Sequence, residues 1–337
     1  MDILYQFNDK YAPYAAVSMT SLFENNKDVK EISVHILGEE LSQASEEKLR
    51  ALSDNYGRHI FFVDTTGLVE KMKSLNMPTY RGSYAANMRL FVDFIFDDDK
   101  QKPERLLYLD ADTIVMGSLE NLFLLPLKTL GMVYDTLGNF HKYGIGLSEN
   151  EGYYNSGVIL YDVDKWIKGN YTEKIVEHVR NVRASYPSPD QDLINVVMRE
   201  EITPILPEYN FQPHLRDYSY RQYMRCFSPH PFYDEDEIGK ANKNPVILHA
   251  FRYLGEFAWH KGSIHPFLKE FDRYLSLSAF KDYIKQPANT SPVMKIEKIM
   301  YRVLPKGVFL GIFKVMHARF YKKADKMSKK NQISKRM

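Results

Sequence analysis

Short apolar runs rich in β-branched and aromatic residues alternate with segments of helical spacing through the first third of the chain. Asp2 to Gln6 (DILYQ), Ile32 to Leu37 (ISVHIL), His59 to Val63 and Arg105 to Leu109 (RLLYL) read as strands. Between them, Tyr11 to Asn25, Ser45 to Asn55 and Ala85 to Phe96 carry helical spacing, and a shorter helix falls near Val69 to Leu75. Ser42 is a start signal for the second of these helices. Strands alternating with helices predict an α/β domain with a mostly parallel sheet, whose ligands gather at the carboxyl ends of the strands. Further on, Gly131 to Tyr134, Gly157 to Tyr161 and Pro245 to His249 read as strands, and Thr172 to Ala184 and Asp192 to Glu200 as helices. Pro204 to Pro245 is Pro- and aromatic-rich with little periodicity, which predicts long ordered loops. No internal repeat and no clean linker interrupts this pattern. One domain over residues 1–290, followed by a tail over 291–337, is the expected organisation.

Composition narrows the class. With 337 residues and 44% apolar content the chain can bury a sizeable core, so wholesale disorder is excluded. The single cysteine, Cys226, excludes an internal disulfide framework and a Cys-rich zinc site, and fits a reducing compartment. The apolar N-terminal run is short and reads as a strand start, not a signal peptide. No stretch approaches the roughly 18 to 20 uninterrupted apolar residues of a spanning helix. The expectation is a cytoplasmic protein, soluble or peripheral.

The net charge of +2 is unevenly distributed. From Met294 onward 13 Lys and Arg stand against Glu297 and Asp325, a net of +11, which leaves −9 for the rest of the chain. In that tail Val308, Phe309, Ile312, Phe313, Val315, Met316 and Phe320 gather on one side at helical spacing, and a lysine-rich run from Lys322 to Arg336 follows. An apolar face with a polybasic flank reads as an interfacial anchor on anionic lipid; a docked C-terminal helix with a basic end is the alternative. Nucleic acid is not an expected partner: the body is acidic, and the tail after Tyr321 has no aromatic residue for stacking.

Four segments carry candidate chemistry. In Leu106-Leu107-Tyr108-Leu109-Asp110-Ala111-Asp112 an apolar strand runs into two carboxylates separated by one small residue, so both can face one cation. Val246-Ile247-Leu248-His249 is a second apolar strand ending in a potential ligand, and two carboxylates with one imidazole suit Mn²⁺, or Mg²⁺. Tyr154-Asn155-Ser156-Gly157-Val158 leads a polar pair into a strand, and Asp190-Gln191-Asp192 opens a helix. Taken alone, Asp190 or Gln191 reads equally as a helix cap.

In this order the four segments resemble family 8 glycosyltransferases, retaining enzymes of the GT-A fold that include bacterial lipopolysaccharide galactosyl- and glucosyltransferases. The resemblance covers Asp2 to Phe267 and rests on ILYQFNDKYAPYAAVSMTSLFENN, SYAANMRLFV, LLYLDADTIV, YNSGVILYDVDKW, DQDLIN and ILHAFRYLGEFAW. It implies a Rossmann-like mixed sheet flanked by helices and a UDP-sugar donor. It places Gln6, Asn8 and Asp9 by the uridine, Arg89 and Gly255 at the donor, and Asp110, Asp112 and His249 on the metal at the pyrophosphate. Asn155, Asp190 and Gln191 then surround the transferred sugar as the catalytic set, with Asp135 on donor sugar or acceptor. The implied reaction moves glucose or galactose to a glycan or lipid-linked glycan acceptor for bacterial surface polysaccharide, on the inner face of the cytoplasmic membrane.

The chain departs from the family in two places. Asn8 stands where an acidic residue is frequent. The C-terminal signature H-x-x-G-x-x-K-P-W becomes His249 to Trp259 with different spacing and no Lys, leaving Arg252, His260 or Lys261 to meet the phosphates. The alternatives to this reading are a sugar nucleotidyltransferase, which should carry a Gly-rich basic phosphate loop that Asn8 to Tyr11 lacks, and a non-catalytic sugar-nucleotide or glycan-binding protein on the membrane.

Overall fold

The structure, a computed structural model, describes residues 1–80, 82–96, 102–136, 139–182 and 186–316. Its strands are β1 (Asp2–Asn8), β2 (Ser33–Glu39), β3 (His59–Val63), β4 (Arg105–Leu109), β5 (Thr113–Val115), β6 (Leu130–Tyr134), β7 (Tyr154–Asp162), β8 (Ile202–Pro204) and β9 (Ile247–His249). Seven of them form one sheet in the order β3-β2-β1-β4-β7-β6-β8, and β5 pairs with β9 in a separate ribbon. The expected strands are all present, and the sheet is mixed, as the family resemblance implies and strand alternation alone does not. β3, β2, β1 and β4 run parallel, whereas β7 is antiparallel to both β4 and β6. All nine residues of β7 are buried, as a strand covered on both faces must be.

This reversal positions the site. The carboxyl end of β4 lies beside the amino end of β7, with Leu109 opposite Val158, and the Asp110 N–H donates to the Gly157 carbonyl at 2.8 Å. The carboxyl end of β6 meets the same end of β7, with Tyr134 opposite Tyr154. The ribbon adds His249, opposite Thr113, and the Ala250 N–H donates to the Asp112 carbonyl at 2.8 Å. Asn8, Asp110, Asp135, Asn155 and His249 therefore converge on one edge of the sheet although they are far apart in sequence.

Two helical expectations change. Ala85 to Phe96 is not one helix but a 3-10 turn, Ala85–Leu90, followed by Val92–Ile95. The Arg89 N–H donates to Gln6 Oε1 on β1 at 3.2 Å, so the sheet takes a donor that an α-turn would use, and Arg89 itself is buried. Pro204 to Pro245 is not loop throughout. It holds the helices Pro213–Asp217, Tyr220–Phe227 and Glu235–Lys243, the last two closed by capping boxes at Ser219 with Gln222 and Asp234 with Glu237. Elsewhere the expected cap is found: Ser42 accepts from the Ser45 N–H at the start of Gln43–Asn55.

The C-terminal segment docks on the body. Helix Pro292–Val303 is followed by helical residues 306–316. Phe309, Leu310 and Phe313 are buried, with Phe313 against Phe227 and Phe309 against Tyr301. Of the expected lipid-facing residues Phe309 and Phe313 are thus internal, whereas Val308, Ile312 and Val315 stay exposed. Phe320 and the lysine-rich run from Lys322 to Arg336 lie outside the described residues. No described helix is long and apolar enough to cross a membrane.

Candidate active site

A cleft of about 920 Å³ opens at the shared strand edge, a size suited to a ligand larger than a monosaccharide. Its centre is Asp110, Asp112 and His249, whose ligand atoms all lie within 4.8 Å of one another. His249 Nε2 is 3.2 Å from Asp112 Oδ1 and 3.6 Å from Asp110 Oδ2.

A hydrogen-bond chain fixes the tautomer of His249. The Gly157 backbone N–H donates to Asn155 Oδ1 at 3.0 Å, so that atom is an acceptor. Asn210 Nδ2 donates to the same oxygen at 2.9 Å, which turns Asn210 Oδ1 toward the imidazole. His249 Nδ1, 3.0 Å from Asn210 Oδ1, must therefore carry the proton. The neutral ring then aims its Nε2 lone pair at two carboxylates, an arrangement that needs a cation. Burial opposes a charged ring, but Asp112 and Asp110 outweigh it and the His249 pKa is raised. Either a proton or a divalent ion satisfies the three groups, and the donor set of two oxygens and one imidazole nitrogen fits Mn²⁺ or Mg²⁺. Gly157 makes room for the ring: a Cβ there would stand 2.0 Å from His249 Cε1.

Arg89 ties this centre to the sugar side of the cleft. Its Nη1 lies 3.1 Å from Asp110, 3.4 Å from Asp190 and 3.0 Å from the Ser156 carbonyl oxygen. The guanidinium also stacks 4.0 Å over the Tyr108 ring. Burial works against its charge, but Tyr108, Asp110 and Asp190 hold it firmly protonated. Asp190 is buried as well; burial raises its pKa against the pull of Arg89, and Ser156 Oγ donates to Oδ2 at 2.9 Å. Gln191 is held at both ends of its amide. Oε1 accepts from the Ser156 N–H at 3.0 Å, and Nε2 donates to Tyr153 Oη at 2.9 Å and to Asp135 Oδ2 at 3.2 Å. Asn155 Nδ2 donates to the same Asp135 oxygen at 2.9 Å. The helix Pro189–Val197 has Ser188 as its N-cap, and the Ser188 N–H donates to Asp192 at 2.9 Å. Asp192 serves the helix start, so Asp190 and Gln191 are left to face the cleft.

The other end of the cleft is lined by Gln6, Asn8, Lys10 and Tyr11. Gln6 supports the Arg89 turn from β1. Asn8 Oδ1 is buried without a partner among the described residues. Asp9, expected at the nucleoside, does not line the cleft. Its Oδ1 accepts from the Ser42 N–H at 2.9 Å and Oγ at 2.8 Å, which lowers its pKa. Gly255 lies outside the lining too. It adopts φ +81° in the turn beneath Met294, where a Cβ would meet Sδ at 3.1 Å. Of the three cations offered for the phosphates, only Arg252 lines the cleft. His260 Nδ1 accepts from the Phe257 N–H instead. Sequence reasoning named Ser156 only within a polar pair and gave no role to Tyr153; the two hold Asp190 and Gln191 in place.

Comparison with known proteins agrees with this architecture. The family model described as "Glycosyl transferase family 8" matches residues 2–232. The chain is 26% identical over 330 residues to the lipopolysaccharide 1,2-glucosyltransferase of Escherichia coli K12, covering 93% of this chain and 89% of that one. It is 22% identical over 286 residues to general stress protein A of Bacillus subtilis, covering 82% and 93%. Among solved structures it is similar to the galactosyltransferase LgtC in complex with donor and acceptor sugar analogues, with TM-score 0.66 and 24% identity, covering 87% of this chain and 98% of that one. The mixed seven-stranded sheet is a GT-A fold, and the chain belongs to glycosyl transferase family 8, as a glycosyltransferase.

Proposed function

We propose that this glycosyltransferase moves glucose or galactose from a UDP-hexose to a glycan acceptor of bacterial surface polysaccharide, with retention and with a divalent ion at Asp110, Asp112 and His249. The observation that carries the reading is the fixed His249 tautomer, with its lone pair and two carboxylates converging midway along the cleft. A bound Mn²⁺ or Mg²⁺ supplies positive charge against the leaving diphosphate. Arg252 and Lys10 are the cleft cations free of the Asp110 and Asp190 pairs, and they suit the rest of the diphosphate charge.

At the nucleoside end the Tyr11 ring offers a face for a base, and the orphaned Asn8 oxygen suits the N3–H donor of uracil. Gln191, Asp135 and Asn155 bind and orient the hexose through a network fixed before substrate arrives. The Asp190 carboxylate is engaged by Arg89 and Ser156. That favours a role in stabilising developing positive charge on the sugar over covalent attack. Same-face displacement follows: the acceptor hydroxyl attacks the anomeric carbon as the carbon–oxygen bond to UDP breaks, and its proton passes to the departing diphosphate.

The C-terminal helix supports a lipid-linked acceptor. Val293, Ile296, Ile299 and Val303 are each more than half exposed on Pro292–Val303, with Lys295 and Arg302 exposed beside them. An exposed aliphatic stripe with a basic edge suits the anionic cytoplasmic face of a membrane. UDP release from UDP-glucose, UDP-galactose and UDP-N-acetylglucosamine with Mn²⁺ tests the donor. Slow hydrolysis of one hexose donor, abolished in Asp112→Asn, is expected; a panel without hydrolysis overturns the reading.

A further inference from the structure

The far end of the cleft carries a side chain that the donor reading does not use. His141 lines the cavity from the short helix Asn139–Lys142 after β6. Its Nε2 lies 2.7 Å from Asp192 Oδ1, and Asp192 is wholly buried. Asp192 Oδ1 also accepts from Tyr153 Oη at 2.6 Å, and its Oδ2 from the Ser188 N–H at 2.9 Å. A carboxylate with those partners is an acceptor, so Nε2 of His141 bears a proton. Among the described residues no hydrogen bond is made by Nδ1.

This helical turn is anchored by its hydrogen bonds. The neighbouring Lys142 is buried, and its Nζ donates to the carbonyl oxygens of Glu149 at 2.6 Å, Glu151 at 2.9 Å and His230. A cation caged by three carbonyls fixes the backbone at position 142, while Asp192 and the edge of Tyr153, 5.5 Å away, fix the imidazole. An open polar atom on a pre-organised side chain is the form a binding contact takes.

Its position says which sugar it meets. The polar path from the metal centre runs through Arg89, Asp190, Ser156, Gln191, Tyr153 and Asp192 before it reaches His141. The hexose belongs at Gln191, three contacts nearer the centre. Resting on the donor assignment above, we infer that His141 is an acceptor-binding residue. Its Nδ1 hydrogen-bonds a hydroxyl on the first acceptor sugar, and Asp192 positions the ring.

The test separates the two ring nitrogens. In His141→Gln the side-chain amide keeps a donor for Asp192 and loses Nδ1. The full-length protein is assayed with its UDP-hexose alone and with methyl β-D-glucopyranoside or methyl β-D-galactopyranoside as acceptor probe. The expected result is donor hydrolysis within twofold of wild type, an unchanged thermal midpoint, and an acceptor KM raised about tenfold. Equal falls in hydrolysis and transfer would make His141 a donor or structural residue and overturn the inference. So would unchanged transfer, or a wild-type enzyme whose hydrolysis neither hexoside intercepts. A wild-type enzyme that hydrolyses no UDP-hexose would fail the donor reading itself, a result distinct from these.

Discussion

Gly157 and His249 compete for one space: a methyl group on Gly157 would stand 2.0 Å from Cε1 of the imidazole. The glycine is required by this contact and not by a backbone angle. Gly157→Ala is expected to push the ring off Asn210 and the two carboxylates. Displacing an oriented ligand costs about 10- to 100-fold in metal affinity. Calorimetric titration with Mn²⁺ checks it, beside a thermal melt that reports any loss of fold.

Gln191→Ala should separate chemistry from donor binding. The substitution removes the Asp135 and Tyr153 contacts and leaves the Ser156 N–H without its acceptor. The expected outcome is a kcat at least tenfold lower with UDP affinity within twofold. A stability loss of about 1 to 3 kcal/mol comes from the unsatisfied amide. Initial rates, UDP titration and a melt on the same preparation distinguish these effects.

Acid should weaken the fold through His265. Its Nδ1 accepts from the Phe267 N–H at 3.1 Å, so Nε2 donates to the Phe251 carbonyl at 3.0 Å, and the ring is buried neutral. Burial pushes its pKa down from 6.5 to about 4. The unfolded chain binds the proton first, so this stability is present above pH 6.5 and is lost as pH falls toward 4. The loss amounts to roughly 3 kcal/mol at about 1.4 kcal/mol per pH unit. Denaturant unfolding across that window should show the slope, and His265→Gln should flatten it.

Membrane attachment should depend on the outward face of Pro292–Val303. The Ile296→Glu, Ile299→Glu double variant places carboxylates on that stripe without touching Phe309 or Phe313 inside. Wild type should sediment with anionic liposomes at low salt, and the variant should sediment less at an unchanged melting temperature. Truncation near Thr290 is not a clean test, because it would uncover Phe227 and remove the Tyr301 hydrogen bonds to Asp217, 2.8 and 2.9 Å long. Equal sedimentation of variant and wild type would exclude this face.

The parts legible in the sequence were those written locally. An apolar strand ending in Asp110-Ala111-Asp112 and another ending in His249 announce their ligands, because strand ends expose alternate side chains on one side. The ordered segments pointed to the mixed GT-A sheet, but strand direction depends on pairing between distant segments, so which strand reverses, β7, was not apparent. The same long-range register hid the partners of Ser156, Tyr153 and His141, which lie 34 to 51 residues away. That Asp9 lies outside the cleft lining was not legible either, because a distant hydroxyl, Ser42, captures its carboxylate. In the tail, helical periodicity found an apolar face but could not say whether protein or lipid covers it; Phe309 and Phe313 show that protein covers part.

The central claim is that Asp110, Asp112 and His249 make donor binding metal-dependent. Calorimetric titration of UDP into the full-length protein, with Mn²⁺ and then with EDTA, tests it most directly. The account predicts that EDTA weakens UDP binding at least tenfold, and that Asp112→Asn gives the weak value in both conditions while melting like wild type. Equal UDP affinity with and without the ion would contradict it.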